Sequence, residues 1–150
     1  MLSRYERLSS AISEISRLIN RISQEVMSSY DLRGSLAKYL LVMLRHRTGI
    51  TATNLCLLCE RNKSDASRAL AELGELGLIM KISGTRYRAK IILTERGLEI
   101  ASDIATRSMQ VISFAGKDIS EEDREVMYSS LESISKNLEA IDEGALTITD

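Results

Sequence analysis

Cys56 and Cys59 stand three residues apart, a spacing that brings two thiols within about 5–6 Å on one face of a helix and could make a redox pair. No Lys, Arg or His adjoins either residue to lower a thiol pKa, and Leu57 and Leu58 lie between them. Small apolar core packing is the reading these residues favour. His46 is the only histidine. Combined with a cysteine and Glu60 it shows no recognised ligand spacing, so no metal site is expected. No nucleophile, base and orienting group are set out as an enzyme would need, so no catalytic residue and no cofactor are expected. Polar and cationic side chains suited to binding are plentiful by contrast. Asn62, Lys63, Ser64, Asp65, Ser67 and Arg68 crowd one short stretch, and Arg86, Arg88 and Lys90 alternate along another.

The charge distribution locates that chemistry. The formal net charge is −1 over 150 residues, yet residues 1–44, 45–96 and 97–150 carry +2, +5 and −8. A basic centre beside an acidic end is the footprint of a chain that turns one face to a polyanion. With 44% hydrophobic and 27% charged residues the composition fits one ordinary globular domain and excludes disordered and collagen-like classes. The longest apolar run, Tyr39 to Leu44, is far short of the roughly 18 residues of a membrane span, and Arg4, Glu6 and Arg7 occupy the place of a signal peptide's apolar core. Two cysteines are too few for a disulfide framework, which makes the cytoplasm the expected compartment and leaves no membrane partner expected.

Several elements must position the basic centre. Tyr5, Leu8, Ile12, Ile15, Ile19, Ile22 and Val26 step by threes and fours, which predicts a helix about 33 Å long with an a/d seam. A break over 31–35 precedes a second helix through Leu36, Tyr39, Leu40, Met43 and Leu44, with Gly49 expected to end it. Thr51 is placed to cap a short helix that reaches Cys59 and presents Leu55, Leu58 and Cys59 on one side. Asn62 and Asp65 have capping-box spacing for the next helix, which buries Ala66, Ala69, Leu70 and Leu73 and ends at Gly77 with Leu78 as its apolar clamp. The period then changes from 3.6 to 2, predicting a hairpin of Ile79–Ile82 and Arg86–Leu93 about a turn at Ser83 and Gly84. Arg86, Arg88 and Lys90 lie on one face of it. Thr94 caps a helix through Leu98 and Ile112, and Ser120 with Asp123 caps a last one through Met127, Leu131, Ile134, Leu138 and Ile141.

Helix, turn, helix and a hairpin wing is the arrangement in which the second short helix enters a major groove while the wing meets flanking backbone. Ile50-Thr51, Leu55, Ser67-Arg68, Leu70, Leu73, Gly77-Leu78-Ile79 and Leu93-Thr94 with Gly97, in that order and spacing, resemble the MarR family of winged helix-turn-helix regulators over nearly the whole chain. The resemblance implies a mainly α fold (α+β, winged helix). In it, residues 34–96 form the DNA-binding lobe, residues 1–30 and 98–143 supply dimerisation helices, and 144–150 form a tail. It makes Thr51–Cys59 the supporting helix, Lys63–Leu76 the recognition helix and Met80–Leu93 the wing. The family's wing holds an Asp-x-Arg six residues ahead of its Leu-Thr pair, where this chain has Thr85 and Tyr87, so the minor-groove arginine stays open between Arg86 and Arg88.

Thr51, Thr53, Asn62, Lys63, Ser64, Ser67 and Arg68 are accordingly the candidate contacts from the helices, and Arg86, Arg88 and Lys90 those from the wing. Arg68 leads, because a guanidinium can chelate both acceptors of guanine or grip a phosphate, while Asp65 caps the helix or orients Arg68. The resemblance further implies a homodimer on a pseudo-palindromic duplex, acting as a repressor relieved by a small phenolic or aromatic-acid effector. Tyr39, Met43 and Arg45 are the candidates to line its crevice. The alternative is a winged-helix interaction module that turns the same basic face to an acidic protein.

Overall fold

The computed structural model describes residues 3–83 and 88–142. Among the described residues nine α-helices and strands follow one another: α1 (Arg4–Ser28), α2 (Ala37–Arg45), β1 (Ile50–Thr51), α3 (Ala52–Leu58), α4 (Lys63–Glu75), β2 (Ile79–Ser83), β3 (Lys90–Leu93), α5 (Glu95–Ala115) and α6 (Glu121–Asp142). They divide into two compact units, residues 1–109 and 110–150, with the boundary inside α5.

The first unit begins with a capping box. The Ser3 hydroxyl accepts the Glu6 N–H at 3.1 Å and the Glu6 carboxylate accepts the Ser3 N–H at 2.7 Å, which satisfies two of the donors a helix start leaves free. The break over 31–35 is present. Asp31 takes a left-handed φ of 57°, and a single 3-10 turn, Gly34–Leu36, leads into α2. Ala37, Tyr39, Leu40, Val42 and Met43 of α2 are buried. Gly49 does not end that helix, contrary to the sequence reading. The helix stops at Arg45 with His46 as its cap, and Gly49, at φ 113°, makes the turn into β1. A Cβ on Gly49 would stand 2.9 Å from that of Lys90, so the close approach of β1 to β3 requires its absence. Strand β1 itself escaped the periodicity because two residues carry no period.

Helix α3 is capped as expected, Thr51 Oγ1 accepting the Asn54 N–H at 3.3 Å. Its apolar face is narrower than expected. Leu55 and Cys59 are 0% and 1% exposed, but Leu58 is 47% exposed. Positions four apart share a face of so short a helix, and Leu58 points off it. Asn62 caps α4, its side-chain oxygen accepting the Asp65 N–H at 2.8 Å, and the Asp65 carboxylate accepts the Asn62 side-chain amide at 2.9 Å. The box is thus closed through a side chain, because aspartate is one methylene too short to fold back as glutamate does. Ala66, Ala69 and Leu73 are buried and Leu70 is half-buried. Gly77 adopts φ 70° and the Leu78 N–H returns to the Leu73 carbonyl at 3.0 Å, with the Leu78 side chain buried as the clamp.

The sheet is antiparallel in the order β1-β3-β2, with Ile79 opposite Leu93 and Met80 opposite Ile92, and an irregularity between Lys81 and Ser83. Its second long strand is Lys90–Leu93; of the expected Arg86–Leu93, Arg88 and Ala89 are not paired, and Arg86 and Tyr87 lie outside the described residues. Arg88 stands in a turn just before the strand, and the irregularity of the pairing lies on β2, between Lys81 and Ser83. Thr94 ties the sheet to α5: its hydroxyl donates to the Gly77 carbonyl at 2.7 Å and accepts the Gly97 N–H at 3.1 Å.

The buried side chains form one cluster running from Met27 to Ile104. In the second unit, the end of α5 turns into α6, where Ser120 accepts the Asp123 N–H at 3.1 Å and Arg124 donates to the carbonyls of Gly116 and Ile119 at 2.8 and 3.1 Å. No described residue beyond Ile104 is buried. Among the described residues no helix is long and apolar enough to cross a membrane.

Candidate nucleic-acid interface

Helix α4 projects its first two turns into solvent. Asn62, Lys63, Ser64, Ser67 and Arg68 are exposed and Asp65 is half-buried. Asn62 and Asp65 are engaged with the helix start, leaving Lys63, Ser64 and Ser67 without a structural task. The Arg68 guanidinium donates to Asp65 at 2.5 Å while its side chain stays 73% exposed. The pair limits the arginine's conformations without removing its remaining donors, which stay free to meet an acceptor. Holding a flexible arginine in this way reduces the entropy that binding would otherwise lose.

Several clefts border the helix-turn-helix. One, of about 550 Å³, is lined by Thr53 and Cys56 of α3, Lys63 and Ser67 of α4, and Lys81 of β2. Another, of about 460 Å³, brings His46, Thr51, Asn54 and Lys90 together. Thr53, Lys63 and Ser67 therefore meet in the first, and Thr51, whose hydroxyl is engaged as a cap, lies with Lys90 in the second. Lys81 was not among the sequence candidates. As the one cation of the strand Ile79–Ser83, it would have emerged had the charge alternation been followed through both strands of the hairpin. Arg88 is exposed just before β3. Arg86 lies outside the described residues.

Of the three residues assigned to an effector crevice, Tyr39 and Met43 are 3% and 1% exposed within the core and Arg45 is exposed at the end of α2. Tyr39 lines a separate cleft with Arg33, Arg61, Asp65 and Arg68. Burial pushes the Cys59 thiol above its ordinary pKa, which disfavours the thiolate that a redox sensor needs. Cys56 donates its S–H to the Arg61 carbonyl at 2.9 Å. His46 caps α2 through its own N–H to the Met43 carbonyl at 3.0 Å.

No protein-family sequence model matches the chain, and no curated protein matches it by sequence. Solved structures do match in fold. Staphylococcus aureus MepR in complex with DNA is 20% identical with a TM-score of 0.80, covering 91% of this chain and 99% of its own. A MarR transcriptional regulator from Methanosarcina mazei Go1 is 21% identical with a TM-score of 0.79, over 93% and 94% of the two chains. A Listeria monocytogenes protein assigned to the MarR family, solved with a 26mer DNA, is 21% identical with a TM-score of 0.79, over 96% and 97%. The chain has the winged helix-turn-helix fold of the MarR-family transcriptional regulators.

Proposed function

We propose that this protein is a dimeric, sequence-specific double-stranded DNA-binding regulator of transcription, acting as a repressor that a small molecule releases. The observation that carries the reading is the solvent-facing start of α4, where Arg68 is poised by Asp65 beside Lys63 and Ser67. Such a helix start offers bidentate donors to base edges and cations to phosphates. Lys81 and Lys90 extend the cationic surface onto the hairpin. Two of the structures that share the fold hold DNA.

The exposed seams support the dimer. Leu8, Ile12, Ile15 and Ile19 of α1 are 41–56% exposed, and Met127, Leu131 and Leu138 of α6 are 37–59% exposed. Apolar stripes of this length left in water call for a partner surface. A second copy supplies one and pairs two recognition helices for half-sites about 34 Å apart.

The test is selection from a randomised duplex pool with the purified protein at near-physiological salt, with its mass measured in the same buffer. The expected result is an enriched inverted repeat with half-sites about one helical turn apart, bound by a dimer. Absence of enrichment, together with salt-steep binding to acidic protein and none to duplexes, would replace this reading with the interaction module.

A further inference from the structure

We propose that the exposed ridge of α3 at Leu57, with the cleft on either side of it, is a docking surface for an acidic, amphipathic helical segment of another protein. Leu57 is 70% exposed and lines both the cleft of about 460 Å³ and the cleft of about 550 Å³. In the smaller one it meets Ile50 and Leu58. Ile82 of the hairpin, 45% exposed, adjoins that cleft, its Cδ1 lying 3.4 Å from where a Cβ on Gly49 would stand. In the larger one Leu57 shares the lining with Ala66, Leu70 and Ala71 of α4. Single leucines in water are ordinary, but a contiguous apolar ridge between two hollows marks an interface. The seams on α1 and α6 contain none of these residues, so they account for none of this surface.

Charge decides the occupant. Lys90 borders one cleft and Lys63 and Lys81 the other, and no carboxylate lines either. None of the three lysines makes an ion pair among the described residues, whereas Arg33, Lys38 and Arg68 of the same unit are paired with Glu72, Glu60 and Asp65. A duplex backbone would give the lysines phosphates but would set charged oxygens against Leu57 and Leu58. An amphipathic helix with acidic flanks satisfies both, its carboxylates meeting the lysines while its apolar face covers the leucines. Side chains three and four apart on such a helix stand about 5–6 Å from one another, which lets two of them straddle Leu57 and enter a hollow on each side.

Lys63 and Ser67 belong both to the larger cleft and to the candidate duplex contacts. On the DNA-binding reading above, on which this consequence alone rests, the acidic segment and the operator exclude one another.

The surface is tested without DNA by selecting from a displayed library of randomised 16-residue peptides against the full chain at near-physiological salt. The expected peptides are net acidic, with apolar residues spaced three and four apart. One enriched peptide is then titrated by fluorescence anisotropy. Leu57→Gln should weaken it about tenfold or more, as loss of a central apolar anchor does, while Leu57→Met should bind nearly as the parent chain does. Lys81→Gln should weaken it several-fold, with a shallower salt dependence. At so exposed a position Leu57→Gln should leave the thermal midpoint close to that of the parent chain. No enrichment, enrichment of neutral or basic peptides, or a peptide affinity unchanged in Leu57→Gln overturns the surface. A loss of duplex affinity in Leu57→Gln with the peptide untouched assigns the ridge to nucleic acid and overturns it too. The selected operator should displace the peptide, and simultaneous binding of both overturns the mutual exclusion. A chain that binds acidic peptides through Leu57 but selects no duplex leaves the surface standing and removes the DNA-binding reading instead.

Discussion

At the scale of single residues, the proposed function and the stability of the fold rest on different charges. Arg68 is exposed and restrained, the condition for reading a base, whereas Lys90 is an exposed cation with no restraining partner among the described residues. Arg68→Ala is therefore expected to weaken the selected operator by about 1–3 kcal/mol and relax base preference at one position. Lys90→Ala should weaken all duplexes alike and reduce the salt slope by about one. Fluorescence anisotropy over a salt series separates the two. Asp103 has a structural role. The Tyr30 hydroxyl donates to its carboxylate and Arg107 pairs with it at 2.9 Å. Both bonds hold the Asp103 carboxyl below its ordinary 3.8, and the bond to Asp103, with burial, pushes the Tyr30 phenol above its ordinary 10.0 although Arg107 pulls it the other way. A lowered carboxyl pKa contributes stability that is present above the unfolded value and lost as pH falls through the folded one. A raised phenol pKa contributes stability lost as pH rises through it. In melting curves across pH, Asp103→Asn should lower the midpoint near neutrality and flatten both the acid limb below 3.8 and the alkaline limb above 10.0.

At the scale of elements, the decisive joint lies where α4, the hairpin and α5 meet. The Thr94 N–H reaches the Leu78 carbonyl at 3.0 Å, and Gly97 lies against the same residue. A Cβ on Gly97 would come within 2.0 Å of the Leu78 carbonyl oxygen. Backbone stands in the way, and it cannot swing aside as the end of a side chain can. Gly97→Ala should accordingly destabilise the fold by about 1–3 kcal/mol, the usual range for overpacking, as read from urea unfolding. Gly77 was legible in the sequence as a helix terminus and Gly97 as part of the family resemblance, yet this contact was not. Spacing along the chain carries no information about which backbone another glycine will touch.

At the scale of the whole molecule, the uncovered seams determine the expected assembly. Ile15 on α1 is 56% exposed and Leu131 on α6 is 40% exposed, so a charge at either position should do little to a lone chain while opposing a paired one. Ile15→Glu and Leu131→Glu are each expected to shift sedimentation equilibrium toward the monomer and to weaken operator binding with it. A chain that stays dimeric in both variants would move the interface elsewhere. The acidic end of the chain matches this arrangement. Glu121, Glu122 and Asp123 occupy the first turn of α6, where the helix dipole favours them and phosphates would be repelled.

The sequence by itself determined the helices, their caps and the hairpin, because those depend on periodicity and on side chains a few positions apart. The Thr51, Asn62 and Ser120 caps, the Gly77 terminus and the order of the elements are all local in this sense. Tertiary structure decided what depends on contacts distant in sequence. It paired β1 with β3, where two residues have no pattern of their own, and placed an irregularity between Lys81 and Ser83 in the pairing of β2 with β3. It turned Leu58 outward and brought Lys81 beside Lys63 and Ser67. It also gathered Arg33, Tyr39, Arg61 and Arg68, drawn from two stretches far apart in sequence, around one cleft. A helix face records only its own polarity, and which other face it meets is settled when the core closes.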